Sequence, residues 1–181
     1  MSITWIRHAR KKYKNKDNLG EYKHDSPVID NCQKDIENLC VKLILESKVP
    51  DKIICSPFLR ARQTSNMITE LLKLNIPVEI DTTISEYLGW IEPKGKIADV
   101  DAITKRYITP KLGEENLKDV QKRVNKHINN LKHLNPYQNI LIITHGIIIS
   151  KICKKIYNIN ENFKELEGLT YLQNYEKFTS K

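Results

Sequence analysis

The amino-acid sequence predicts an α/β fold, a single domain over residues 1–181 in which a mostly parallel central sheet lies between two helical layers, α/β/α. Three observations carry that expectation. Short β-branched apolar runs alternate with segments whose apolar residues recur every three or four positions, the pattern of βαβ units. Two of those runs, Ile3-Thr4-Trp5-Ile6-Arg7-His8 and Leu141-Ile142-Ile143-Thr144-His145-Gly146, each reach a histidine. No internal repeat, disordered linker or composition break divides the chain.

The first strand is Ile3 to Arg7, followed by a basic loop from Arg10 to Lys16 and a polar stretch to Ser26-Pro27. Ile29, Cys32, Ile36, Leu39 and Leu43 fall at helical spacing, so an amphipathic helix is expected from Ile29 to near Ser47. Lys52 to Cys55 is short and β-branched, a second strand. Ser56-Pro57 has the form of an N-cap followed by proline in the first turn, which predicts a helix to about Leu74 with Ala61, Thr64, Ile68 and Leu71 inward. Pro77 to Ile80 alternates as a third strand. The stretch from Ile84 to Pro110 holds Gly89, Pro93 and Gly95 and reads as loop with one short helix near Ala98 to Tyr107. Leu117, Val120, Val124, Ile128 and Leu131 mark a long helix. Asn139 to Thr144 is the central strand, Gly146 to Tyr157 its following helix, and Leu169 to Tyr175 a final strand.

A chain of 181 residues can bury about 70% of its unfolded surface without a staple. Cys32, Cys40, Cys55 and Cys153 are widely spaced in apolar patterns and form no CxxC pair, so they read as reduced core thiols of a cytoplasmic protein. Met1 leads into a strand, with no basic and then apolar leader, and no apolar run has the length of a membrane span. The net charge of +8 favours anionic partners, phosphorylated small molecules, phosphoproteins or nucleic acid, without choosing among them. A general richness in Lys, Asn and Ile would produce the same charge with no task attached.

If the strands are parallel, His8, Arg60 and His145 all fall at the carboxyl edge of the sheet, where open α/β sheets bind ligands. Helix N-termini there offer backbone N–H groups and a positive dipole end, and Arg60 and Arg7 add planar forks of donors. Such a cluster, with no cysteine or carboxylate near it in sequence, suits a phosphoryl group better than a metal, so neither metal nor other cofactor is expected. Arg62, two positions along a helix from Arg60, should point elsewhere. A lone histidine at a strand end is more often structural than catalytic; His24, His127 and His133 have no ligand spacing and read as surface residues.

Ile6-Arg7-His8-Ala9, Ser56-Pro57-Phe58-Leu59-Arg60-Ala61-Arg62-Gln63-Thr64 and Thr144-His145-Gly146 resemble, in order and interval, the successive motifs of the histidine phosphatase superfamily. Gly113-Glu114-Glu115-Asn116-Leu117 with Asp119-Val120 and Arg123-Val124 resembles the helix before the last motif in its small members. The likeness covers nearly the whole chain, and the final His-Gly points to the phosphoglycerate mutase-like branch, with the fold of that group. The resemblance implies that His8 is the nucleophile and that Arg7, Arg60 and His145 form the phosphate pocket. It also implies a glutamate after the third strand as general acid and base. Ile84-Ser85-Glu86 before Gly89-Trp90 fits that pattern at a shortened spacing, so Glu86 is the candidate and Glu92 its rival.

The chemistry accounts for these residue types. A neutral imidazole nitrogen can attack phosphorus, and a phosphohistidine divides one hard displacement into two. Fixed cations and N–H groups match the charge on the equatorial oxygens. One carboxyl can protonate the leaving alkoxide and then activate water. The chain departs from the family in having Ala9 where glycine is usual and Arg10 where mutases carry glutamate. Arg10, Lys14 and Asn15 form a possible rim for a substrate with a second negative group. Mutases of the family are longer, which favours hydrolysis of a phosphomonoester here. The alternatives are a mutase-type phosphotransferase, an inactive phosphate- or phosphoprotein-binding domain and, ranked last, a nucleic-acid-binding protein. Oligomeric state is not legible.

Overall fold

Alternation along the strands sends side chains to two separate cores. Ile3, Trp5, Ile54, Ile140 and Ile142 enter one, with Val120, Val124, Ile148, Ile149 and Ile152 above them. Ile6, Ile53, Cys55, Leu141 and Ile143 enter the other, with Ile36, Leu39, Leu43, Ala61 and Ile68. Two buried faces require helices on both sides, hence three layers.

The computed structural model describes residues 2–12, 25–87, 102–108, 115–131, 138–171 and 175–178. Among these, strands β1 (Ser2–Arg7), β2 (Lys52–Cys55), β3 (Val78–Ile80), β4 (Asn139–Thr144), β5 (Gly168–Tyr171) and β6 (Tyr175–Phe178) form one sheet in the order β3-β2-β4-β1-β5-β6. β3, β2, β4 and β1 run parallel to one another, while β5 is antiparallel to β1 and β6 to β5. The helices are α1 (Gln33–Leu45), α2 (Leu59–Leu71), α3 (Ala102–Ile108), α4 (Leu117–Leu131) and α5 (Gly146–Tyr157). None is long and apolar enough to cross a membrane. All four cysteines are buried and unpaired with one another.

Several boundaries differ from expectation for identifiable reasons. α1 begins at Gln33 rather than Ile29, because the backbone at 28–29 is extended: Lys11 and Val28 form a bridge, and the Ile29 N–H donates to the Arg10 carbonyl. α2 starts at Leu59, not after Ser56, since Phe58 is still extended. Its leading N–H, that of Leu59, is capped from far away by Asp25 Oδ1 at 2.7 Å. The final strand is two strands, β5 and β6, with Tyr171 facing Tyr175. α3 begins at Ala102, four residues after the expected Ala98, and positions 98–101 lie outside the described residues.

α4 carries the largest correction. Leu117, one of the residues whose spacing marks the helix, is exposed, whereas Arg123 and His127 are buried beside Val120, Val124 and Leu131. His127 is therefore no surface residue: its Nε2 accepts from Trp5 Nε1–H at 3.1 Å and its Nδ1 donates to Asp81 Oδ2 at 2.8 Å. His24 and His133 lie outside the described residues.

β5 crosses β1 so closely that a Cβ on Gly168 would stand 1.6 Å from the Trp5 carbonyl oxygen. Only glycine fits there.

Candidate active site

Parallel register aligns the carboxyl ends of three neighbouring strands. Arg7 pairs with Thr144, so the next residues on β1 and β4, His8 and His145, lie side by side; Cys55 pairs with Ile143, so Ser56 follows β2 beside Thr144, one step behind them. His8 N–H still reaches the Thr144 carbonyl and Ser56 N–H the Ile143 carbonyl, both at 2.9 Å. The two rings then stand edge to face with centroids 5.2 Å apart. Arg60, in the first turn of α2 and 1% exposed, enters between them.

Hydrogen-bond logic assigns the His8 tautomer. A carbonyl can only accept, so His8 Nδ1 carries the proton that it gives to the Ala9 oxygen at 2.7 Å. Nε2 is left with its lone pair, which accepts from Arg60 Nε at 3.0 Å. Burial, with the charges of Arg60, His145 and Arg7, holds the His8 pKa well below the ordinary imidazole value. His8 is thus a neutral base with its free nitrogen facing the pocket.

His145 has partners of both kinds. Its Nδ1 stands between a donor and an acceptor, 3.2 Å from Arg60 Nη2 and 3.3 Å from Glu86 Oε2, while Nε2 hydrogen-bonds with Ser56 Oγ at 2.8 Å. Burial and the guanidinium push its pKa down to about 4, against the opposing pull of Glu86. Phe58 packs edge-on to the ring at 5.2 Å and lies under the Arg60 guanidinium at 4.7 Å. Ser56, read from sequence as a helix cap, therefore serves His145, and Asp25 takes over its expected role.

Glu86 arrives from the third strand by another route. After β3, a 3-10 turn, Thr82–Ile84, carries the chain to the pocket. Glu86 Oε2 accepts from Arg60 Nη2 at 3.2 Å and lies 3.3 Å from His145 Nδ1. Burial opposes its ionisation, but His145, Arg60 and His8 outweigh it and hold the carboxyl well below the usual carboxylate range. His8, His145 and Glu86, each expected from the sequence, thus meet around the guanidinium of Arg60.

Residues 3–174 match the sequence model of a protein family described as histidine phosphatase superfamily (branch 1). The chain belongs to that superfamily. No curated protein matches the sequence. Solved structures do. The alpha-ribazole phosphatase from Shigella flexneri is 19% identical, with 94% of this chain and 89% of that one covered, at a TM-score of 0.67. Phosphoglycerate mutase from Bacillus anthracis is 14% identical over 97% and 91%, at 0.65. Mycobacterial glucosyl-3-phosphoglycerate phosphatase is 15% identical over 93% and 88%, at 0.61. At these identities the likeness is one of fold. Because a mutase structure is covered over 91% of its length, chain length does not separate transfer from hydrolysis as the sequence reading expected.

Within this histidine phosphatase fold, the departure at Ala9 is structurally mild. Ala9 is absent from the positive-φ residues, and its N–H donates to Thr64 Oγ1 at 3.0 Å. Arg7 lies at the pocket's side, where Nη1 donates to the Phe163 carbonyl at 3.0 Å and Nη2 pairs with Glu165 at 3.3 Å. It borders a cavity of about 500 Å³ lined also by Glu86, Gly146, Ile147, Ser150 and Phe163. A Cβ on Gly146 would lie 3.4 Å from Arg7 Cδ and from the Phe163 oxygen, at the near edge of ordinary contact. Arg62 turns away from the site to the Pro57 carbonyl, as expected.

On the rim, Arg10 is exposed, and Lys14 and Asn15 lie outside the described residues, as does Glu92. Lys11, part of the basic run from Arg10 to Lys16, is half-buried and senses Arg60, Glu86 and Arg7. His8, Glu86 and His145 present ligand atoms within 4.8 Å of one another, close enough to share a metal ion. The Arg60 guanidinium is hydrogen-bonded to all three, so a second cation among them would meet that charge directly; an anion would not.

Arg123 was also missed. Its Nη1 donates to the carbonyls of Thr83 and Ser85 at 2.9 and 2.7 Å, and Nη2 to that of Glu86 at 3.0 Å. Glu115 holds the guanidinium from behind, Oε1 at 2.6 Å from Nε. Thr144 Oγ1 adds a bond to the Ile84 carbonyl at 2.7 Å. Nothing in residue type distinguishes such a buried arginine from a solvated one on a polar helix.

Proposed function

We propose that this chain is a phosphomonoesterase acting through a phosphohistidine on His8. The observation that carries the reading is the unprotonated Nε2 of a neutral, buried His8, aimed at Arg60 beside His145 and Glu86. Arg60 Nη1, 3.8 Å from Asp25 Oδ1 in a buried ion pair, and Arg7 Nε are buried without a hydrogen-bond acceptor. Buried N–H groups that make no hydrogen bond are costly, and the oxygens of a tetrahedral anion would relieve them.

On entry, phosphate displaces the Arg60 N–H groups from the two rings and Glu86, which frees Nε2. Its lone pair forms the N–P bond as the P–O bond breaks in line, and the electron pair leaves on the alkoxide oxygen. Glu86, ionised in the empty pocket, receives its proton from the substrate monoanion and passes it to that oxygen. Arg60, Arg7, His145 and the N-terminus of α5 balance the charge on the equatorial oxygens. Water then attacks phosphorus, Glu86 takes its proton, and the N–P pair returns to Nε2. The cavity beside Glu86 gives room for the leaving alcohol and then for that water, which favours hydrolysis over transfer. The substrate is a phosphorylated small molecule or phosphoprotein, and Lys11 rather than Arg10 faces any second anionic group. The site works in a soluble, cytoplasmic protein without a metal.

Hydrolysis of p-nitrophenyl phosphate by wild type and by His8→Ala, with radiolabelled phosphoenzyme trapped in alkaline quench, tests this. Turnover and label in wild type alone are expected. Equal rates in the two proteins would remove His8 from the chemistry, and phosphate affinity without turnover in either would make the chain a binding domain.

A further inference from the structure

Behind the pocket, on the α4 side of the sheet, lies a second polar chain that the phosphate chemistry does not use. Trp5 Nε1–H donates to His127 Nε2 at 3.1 Å, and His127 Nδ1–H donates to Asp81 Oδ2 at 2.8 Å. The other Asp81 oxygen accepts from the Thr83 N–H at 2.7 Å and from the Thr83 hydroxyl, which caps the 3-10 turn leading to Glu86. Indole nitrogen can only donate, so Trp5 fixes His127 Nε2 as acceptor and places the ring's single proton on the Asp81 side. Trp5 and His127 are each 1% exposed. Every polar atom in this chain has a partner, which specifies one geometry.

The ends of the chain matter more than its middle. Trp5 lies on β1, three residues before His8, and Asp81 begins the turn that ends just before Glu86. His127 is one helical turn after Arg123, whose guanidinium holds the carbonyls of Thr83, Ser85 and Glu86 from the same α4 face. We infer that His127 is a positioning residue, through which the strand carrying the nucleophile holds the turn carrying the acid and so sets the separation of Glu86 from His8. This rests on the reading of Glu86 as general acid. In front, Arg60 contacts both groups but must release them when phosphate binds. The relay behind remains in place throughout the reaction.

A poor leaving group needs the acid, whereas p-nitrophenolate departs with little help, so the ratio of kcat/KM for p-nitrophenyl phosphate to that for phenyl phosphate reports the placement of Glu86. The ratio does not depend on the fraction of molecules folded. His127→Phe keeps the ring's bulk and loses both nitrogens, and it should raise the ratio roughly tenfold, with inhibition by inorganic phosphate unchanged. His127→Asn retains a donor near Nδ1 and should restore much of the wild-type ratio. Trp5→Phe cuts the relay at its far end and should raise the ratio in the same direction, even if His127→Phe does not fold. Glu86→Gln is measured alongside and should raise it most. A raised ratio in Glu86→Gln with an unchanged ratio in a folded His127→Phe or Trp5→Phe overturns the positioning role and leaves Glu86 as the acid. An unchanged ratio in Glu86→Gln overturns the assignment of Glu86 itself, and the positioning role with it.

Discussion

The two sides of the pocket are built differently. His8 and His145 stand side by side because β1 and β4 stop in register, with Ser56 one step behind on β2, and backbone bonds from His8 and Ser56 continue the ladder past the strand ends. Glu86 has no such ladder: it follows a three-residue turn held by side chains of α4 and by Thr144. Ladder bonds resist single substitutions, since no side chain supplies them. A side-chain scaffold can be dismantled one residue at a time, so the nucleophile side should tolerate changes in its surroundings that the acid side does not.

Arg60→Lys should give the largest effect, because it keeps a charge but loses the fork that reaches His8, His145 and Glu86 at once. A fall of roughly 10²–10³-fold in kcat/KM for p-nitrophenyl phosphate is expected, together with weaker inhibition by inorganic phosphate. Glu86→Gln comes next. It should cost roughly 10²-fold with phenyl phosphate, much less with p-nitrophenyl phosphate, and should not weaken phosphate binding, since a carboxylate repels that anion. A loss of phosphate affinity in Glu86→Gln equal to that in Arg60→Lys would erase the distinction between the two sides.

That distinction also decides what was legible in the sequence. His8, Arg60 and His145 could be placed because strand periodicity and parallel order bring consecutive carboxyl ends together, whatever the side chains beyond them. Ser56 was misread because a serine before proline serves equally well as a helix cap. Only the three-dimensional neighbourhood shows His145 claiming the hydroxyl and Asp25 supplying the cap. His127 sits among Lys126, Asn129 and Asn130 on a polar helix, and its partners are 122 and 46 residues away. No local pattern reports a contact of that separation. Arg123 was hidden for the same reason, and the break between β5 and β6 because both fit one alternating run.

Acid should separate the two sides by pH window. His145 has a folded pKa of about 4 against about 6.5 unfolded, and His8 is shifted in the same direction. Between those values the unfolded chain binds more protons, so stability is complete above the unfolded pKa and falls as pH drops. For His145 alone the loss by pH 5 is about 2 kcal/mol. Glu86 is also depressed, but relative to a carboxylate, so its contribution is lost only at pH values below about 4.3. Urea titrations at pH 7.5, 6 and 5 should therefore show a decline that His145→Gln reduces and Glu86→Gln does not. A decline in that range abolished by Glu86→Gln would reverse the assignment.

The smallest expected effect lies at the mouth, where the two sides meet. Lys11 is held by the Lys11–Val28 bridge, with Lys12 N–H on the Pro27 carbonyl at 2.8 Å, so its backbone is fixed three residues beyond His8. Burial and the Arg60 guanidinium lower its pKa, which is the condition of an ammonium drawn towards a cationic pocket. A substrate's second anion would relieve that repulsion, whereas Arg10 is exposed on the same strand-like segment. Lys11→Met should raise KM for a bisphosphorylated sugar about three- to tenfold, more than for p-nitrophenyl phosphate, and the difference should shrink at high salt. Arg10→Ala should move both by less. Equal changes in KM for the two substrates would show that Lys11 acts on the pocket as a whole and recognises no second anion.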